Sequence, residues 1–312
     1  MFQTGSYEGH ERSNLALYVV VISNLTNAEG MTSEYEYYEK YDDAAMGQVN
    51  LVAEIRDWLW TMDLMFQFIN DEKPEILEDF SKKVEEKYNI ELKNTSFALD
   101  DVGFDKFLND QSVLASYSQF KDLGLQIIMK YIPLREGYTL SEEMEPIRYV
   151  DYLRAKHMLL YHRITALTEI LGREAGIDFF QKFVQFWGRE QAKKLIVSHT
   201  IDFARENYVK FWENSSAFNF GVVDVDKAAF LAKFDKCAWY ESMKHVDDQE
   251  LAYYAVCYPG PRIGRHVHQN VSMRRSVTLF TGDFCDELRW DRHVHDEPEQ
   301  PSHDFSGKIV PK

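Results

Sequence analysis

Cysteine is scarce in this chain, with three residues among 312: Cys237, Cys257 and Cys285. So small and odd a number excludes a disulfide framework and points to a reduced, cytoplasmic setting. Basic charge is also in short supply. Lys and Arg total 35 against 51 Asp and Glu, a formal charge of −16, and a field of that sign repels phosphate backbones and anionic lipid. Nucleic acid and membrane surfaces are therefore not the expected partners. Long apolar runs are missing too. The longest early one, residues 15–25, is too short to span a bilayer, and with Glu8, Glu11 and Arg12 before it has neither the flank nor the cleavage site of a signal peptide.

Several signatures are absent. There is no Gly-x-Gly-x-x-Gly, no Walker loop and no Gly-x-Ser-x-Gly elbow, which removes sequence support for nucleotide binding and ordinary serine hydrolysis. Asp42-Asp43-Ala44-Ala45-Met46 lacks the final acid of the Asp-rich magnesium motif of terpene cyclases. No Cys-x-x-Cys or His-Glu-x-x-His occurs, although His-x-His appears twice, at His266/His268 and His293/His295. On a strand that spacing puts two imidazoles on one side, as zinc sites use. The second pair, however, runs into Asp296, Glu297 and Pro298 at the start of a tail. Neither a metal nor a cofactor is expected.

What the chain has in quantity is aromatic residues, 6 Trp, 18 Tyr and 21 Phe, or 14%. They indicate a dense core, a ring-walled pocket, or both. Apolar spacing predicts a helix across residues 34–68 and a second one after Pro74 with the stripe Ile76, Phe80, Val84 and Tyr88. Further helices fit residues 103–109 and 111–131. A soft boundary falls near Pro146, and helical spacing then resumes from Arg148 to Phe211. From Phe218 the period changes to two, and a second extended run covers residues 229–236. Residues 237–246 read as a short helix, and Asp247-x-x-Glu250 has capping-box-like spacing for the next. Residues 271–291 alternate as a β-hairpin breaking at Thr281-Gly282-Asp283. The expected fold is α+β, mainly helical with a small C-terminal antiparallel sheet. Residues 1–147 form an aromatic-rich helical region, 148–295 an α+β domain, and 296–312 a tail.

Alternation allows the hairpin to be divided by face. Cys285, Glu287, Arg289 and Asp291 share one side of the second strand, a polar row that faces either water or a site. Gly282-Asp283-Phe284-Cys285-Asp286 puts a thiol between two carboxylates, which raise its pKa unless Arg274, Arg275 or Arg289 offsets them. Cys237 shares a helix face with Glu241, and a thiol in a first helical turn gains from the helix dipole.

On these residues the second half of the chain resembles the L-2-amino-thiazoline-4-carboxylic acid hydrolase family. The likeness rests on the helical run 148–195, on Cys237-Ala-Trp-Tyr-Glu241 followed by Cys257, and on Arg275-Ser-Val-Thr-Leu279-x-x-Gly-Asp-x-Cys-Asp286. It covers about residues 148–291. The resemblance implies a cofactor-independent small-molecule enzyme that adds water to a cyclic C=N bond and opens a thiazoline ring to an N-carbamoyl amino acid. Cys237, Cys257, Asp283, Cys285 and Asp286 match the family's recurrent polar positions. Two departures stand out: Glu287 replaces an aromatic residue, and an aromatic-rich region precedes the shared part, which points to a larger, more apolar substrate.

The candidate catalytic residues are Cys285, Asp286, Asp283, Cys237 and Glu241, with Asp286 or Asp283 as general base and Cys285 as nucleophile or wall. Arg274, Arg275, Thr278, Tyr254 and Cys257 are the candidate substrate-binding residues, an arginine taking a substrate carboxylate. An alternative is a cofactor-free cyclase or pericyclase of a natural-product pathway, working by shape, aromatic walls and hydrogen-bond donors. A third is a non-catalytic small-ligand-binding protein. Exposed Tyr and Trp on an acidic helical chain are compatible with a homodimer.

Overall fold

The computed structural model describes residues 21–26, 32–93, 113–132 and 141–311. Helix α1 (Leu51–Glu72) starts where Asn50 accepts the Ala53 amide at 2.9 Å, and it stops at Lys73, ahead of Pro74. Its stripe Ile55, Leu59, Met62 and Phe66 is fully buried, as the 3.6-residue period requires. Helix α2 (Leu77–Leu92) presents Phe80, Val84 and Tyr88 to the same core, and α3 (Gln119–Tyr131) adds Phe120. Phe66 meets Phe80 and Phe120 edge-on at ring separations of 5.4 and 5.5 Å, a favourable aromatic geometry. Gly124 of α3 makes room for this packing, because a Cβ there would lie 1.8 Å from the Trp58 ring.

Helix α4 (Tyr149–Leu171) is the hub. It packs against α2 and α3 on one side and against α5 (Arg173–Lys194) and the short helices α7 (Ala238–Met243) and α8 (Gln249–Val256) on others. The boundary expected near residue 147 falls where strand β4 (Glu145–Arg148) meets α4. Buried side chains from both sides of it share one cluster. Helix α6 (Ile201–Ser215) begins at Thr200, whose hydroxyl accepts the Phe203 amide at 3.3 Å. Helix α9 (Pro259–Val267) and a last short helix, α10 (His303–Gly307), complete the helical part.

The fold is α+β, with six strands in one antiparallel sheet of order β1-β2-β5-β6-β8-β7. Strands β5 (Phe218–Asp226), β6 (Ala229–Cys237), β7 (Val271–Arg274) and β8 (Cys285–Asp291) come from the C-terminal half. Strands β1 (Val21–Thr26) and β2 (Thr32–Glu39) extend it from the N-terminal region, β2 pairing with β5 at Tyr37↔Gly221. This corrects the helix expected across 34–68: residues 32–39 are β2, residues 46–49 are β3 (Met46–Val49), paired with β4, and only from Leu51 is the segment helical. Tyr35 and Tyr37 face one side of the sheet and Tyr38 the other, so the Tyr and Glu residues there follow a strand's period. The helix expected at 103–109 lies outside the described residues. Over 111–131, a short 3₁₀ turn at Leu114–Tyr117 precedes α3.

Two smaller expectations are also adjusted. Cys237 ends β6 rather than starting a helix, and the cap of α8 is Asp248, which accepts the Leu251 amide at 3.1 Å. β7 and β8 do pair, from Val271↔Asp291 to Arg274↔Leu288, but residues 275–284 form a longer loop than a tight hairpin turn.

Helices cover one face of the sheet, where Phe218, Phe220, Phe230 and Phe234 pack with Trp212 of α6. The other face is covered by the C-terminal segment. Ile309 and Phe305 pack on Tyr35, Tyr37, Leu288 and Trp290. A Cβ at Gly221 would come within 2.2 Å of Ile309. The expected tail is thus a strap, fastened by Lys233 Nζ donating to the Ile309 carbonyl at 2.7 Å. Among the described residues no helix is long and apolar enough to cross a membrane.

Candidate active site

The register of β8 decides which side chains meet. Cys285, Glu287 and Arg289 stand opposite Phe234, Ala232 and Phe230 of β6 and, like them, face the helices. Asp286, Leu288 and Trp290 face the strap. The polar row read from the sequence is therefore turned inward.

Glu287 is only 2% exposed. Arg275, first residue of the loop after β7, donates Nε and Nη2 to its Oε2 at 3.0 and 2.6 Å. Arg289 donates Nε to its Oε1 at 2.6 Å. Arg275 Nη1 also donates to the Cys257 carbonyl at 3.0 Å, and the Arg289 guanidinium lies 3.4 Å over the Tyr208 ring. Burial pushes the Glu287 carboxyl up, but the two guanidiniums outweigh it and hold it below the usual value. Among the described residues, Glu287 is the carboxylate ion-paired with these two arginines. Two cations and one anion leave the buried triad with one excess positive charge, which an anionic ligand would balance.

All three thiols surround this triad. Burial pushes Cys237 up to about 11 and Cys257 up to about 12, and it raises Cys285 well above its usual value, while the Arg275 charge pulls each of them down. The Trp239 and Tyr240 amides of the helix that follows also lower Cys237, yet burial outweighs them, against the lowered thiol expected for a first helical turn. At neutral pH the three are thiols, not thiolates. Cys285 is buried, whereas Cys237 and Cys257 are half-buried. Phe280 meets Tyr240 edge-on at 5.1 Å, and Tyr253 and Tyr258 are 6.3 Å apart beside Cys257.

The other predicted residues are dispersed. The Asp286 carboxylate is turned to the strap side and saturated: Oδ1 accepts the Ser276 and Val277 amides at 2.7 and 2.9 Å, and Oδ2 accepts the Ser276 hydroxyl and, at 2.9 Å, the Gln300 amide. Arg274 also points to the strap, donating to Glu297, the Pro298 carbonyl and Gln300. Asp283 is exposed on the loop. Thr278 is buried in a local turn whose carbonyl accepts the Thr281 and Gly282 amides, both at 2.8 Å. Glu241 pairs with Lys244 at 2.5 Å. Tyr254 accepts a hydrogen bond from Gln181 at 3.2 Å.

The candidate catalytic and binding residues read from the sequence do not include Glu287, Arg289, Tyr208 or His268. His268, pushed down to about 4 by burial and the Arg289 and His199 charges, borders the triad. The alternation that groups Cys285, Glu287 and Arg289 was the available signal for the first two. The His-x-His imidazoles do not converge: His266 pairs with Gln185, His293 with Asn270 and His295 with Asp226. Among the described residues no group of three or more His, Cys, Asp or Glu is placed to hold a metal ion.

The chain is thus an α+β protein whose C-terminal half sets three thiols around Glu287 and its two arginines. Residues 153–290 match the model of the L-2-amino-thiazoline-4-carboxylic acid hydrolase family. The matched segment runs from α4 to β8 and holds the three cysteines, Arg275, Glu287 and Arg289, but ends before the strap. No curated protein and no solved structure matches the chain.

Proposed function

We propose that the chain is a small-molecule hydrolase whose substrate carries a carboxylate next to a cyclic C=N bond. The observation that carries this reading is the excess positive charge of Arg275–Glu287–Arg289, set among three thiols inside the segment that resembles the hydrolase family. The substrate carboxylate sits against Arg275, whose guanidinium is part-buried, so a charge-assisted bond there is strong. Water oxygen bonds to the C=N carbon and its proton goes to the ring nitrogen. Collapse then forms the carbamoyl C=O as the bond from that carbon to ring sulfur breaks, and the hydroxyl proton released passes to the sulfur, which leaves as a thiol. The half-buried Cys237 and Cys257, held protonated, serve as hydrogen-bond donors to the reacting ring.

The test is turnover of 2-aminothiazoline-4-carboxylate in ¹⁸O-labelled water by wild type and Arg275→Gln. One ¹⁸O should enter the carbamoyl product, and KM should rise by roughly 10–100-fold in the variant, as loss of a hydrogen bond to a charged group implies. Absence of label, or an unchanged KM, overturns the reading.

A second reading, a non-hydrolytic cyclase, is favoured by the thiols being protonated and by the rings of Tyr240, Phe280, Tyr253 and Tyr258 that flank them. It predicts turnover of a larger apolar substrate without label and with little effect of Cys285→Ser.

A further inference from the structure

Arg275 reaches the triad from a loop whose anchoring lies on the opposite face of the sheet. The residue before it, Arg274, donates Nε to Gln300 Oε1 at 3.2 Å, Nη1 to Glu297 at 3.1 Å and Nη2 to the Pro298 carbonyl at 2.5 Å. The residue after it, Ser276, gives its amide and hydroxyl to Asp286, and Val277 adds its amide. Asp286 in turn accepts the Gln300 side-chain Nε2 at 2.9 Å. Both neighbours of Arg275 are thus tied down on the strap side, and Arg275 alone is sent to the other side, where Glu287 and the Cys257 carbonyl receive it.

Gln300 joins these two anchors. A guanidinium needs an acceptor and a carboxylate needs a donor, and a primary amide supplies one of each. Only one orientation of the Gln300 amide serves both Arg274 and Asp286, and it is the one present. A glutamate could serve Arg274 but not Asp286, and an aliphatic side chain could serve neither. The matched family segment ends at residue 290, so Arg274 and Asp286 lie inside it and Gln300 lies beyond it.

We propose that Gln300 is a positioning residue for the candidate active site, holding Asp286 and Arg274 so that the Arg275 guanidinium stays against Glu287 and Cys257. Its consequence for turnover rests on the proposed role of Arg275 in taking the substrate carboxylate; its consequence for Arg275 itself does not. The strap that closes one face of the sheet thereby sets the geometry of the site on the other.

The test compares wild type with Gln300→Glu and Gln300→Ala. Phenylglyoxal modification of Arg275, resolved from Arg274 by peptide mass spectrometry, is measured beside Tm, KM and kcat for 2-aminothiazoline-4-carboxylate. Gln300→Glu keeps the bond to Arg274 but gives up the one to Asp286, so a modest fall in Tm is expected. It faces Asp286 with a like charge, so Arg275 should be modified roughly fivefold faster or more, the order a lost hydrogen bond produces. KM should rise with kcat nearly unchanged, and Gln300→Ala should show the same increases with a lower Tm still. Wild-type modification rates in Gln300→Glu would overturn the proposal and leave Gln300 as a packing residue. If wild type fails to turn over the thiazoline, the functional reading fails, and the modification rate still decides the role of Gln300.

Discussion

On the strap side of β8 Asp286 takes four hydrogen-bond donors, two of them backbone amides; one residue along, on the helix side, Glu287 takes two guanidiniums. Both carboxylates are nearly fully buried, so both need partners, and the choice of partner separates their roles. Neutral donors fix a loop and leave nothing for a ligand to complete. Two arginines on one carboxylate leave positive charge unbalanced, which is a binding property. Burial alone therefore does not separate the two carboxylates; the charges around each do, and under the proposed function only Glu287 belongs to the site.

The largest effect is expected from Glu287→Ala. It leaves the buried Arg289 and the part-buried Arg275 guanidiniums without a counter-ion and should destabilise the fold by about 3 kcal/mol, measured by urea unfolding; a loss under about 1 kcal/mol would mean that the pair is solvated and the face is not closed. Next comes Gly221→Val on the strap side, where the new side chain must displace Ile309, 2.2 Å from a Cβ at that position. An overpacking cost of about 1–3 kcal/mol is expected, with faster proteolysis of residues 303–311 as the check.

Alkaline titration sharpens the difference further. A thiol whose folded pKa is raised contributes stability in full below the ordinary value of about 8.5 and loses it as pH rises through the folded value. Stability should thus fall between there and about 11 and 12, where Cys237 and Cys257 ionise in the fold. Urea midpoints from pH 8 to 10 should fall more steeply for wild type than for a Cys237→Ser/Cys257→Ser variant, and parallel slopes would contradict the burial of these thiols. The smallest effect belongs to Asp283→Asn on the exposed loop, which should change stability by less than about 0.5 kcal/mol. A large loss of turnover there would return Asp283 to the catalytic set.

Local pattern made much of this legible. The stripe of α1 and the alternation of β8 depend only on neighbours in sequence, and both could be read directly. The segment 34–39 also alternates, as Glu-Tyr-Glu-Tyr-Tyr-Glu, but its strand partner lies in β5 and no local signal names it. From sequence alone the segment reads as part of one helical run over residues 34–68. Proline and glycine make residues 296–312 read as a loose tail, whereas Phe305 and Ile309 of the described part pack on the sheet. Glu287 was noticed as a substitution for an aromatic residue. Its meaning appears only when Arg275, twelve residues away, folds back onto it.

The pairing of β2 with β5 also sets a timetable for synthesis. Tyr37 and Gly221 are 184 residues apart, so at typical translation rates the older strand waits roughly 10–40 s for its neighbour to be made. Throughout that interval it carries unpaired backbone groups and the rings of Tyr35, Tyr37 and Tyr38, which other nascent chains could recruit. Glu34, Glu36 and Glu39 are interspersed with those tyrosines. Such interspersed like charges disfavour pairing of this strand with a second copy of itself.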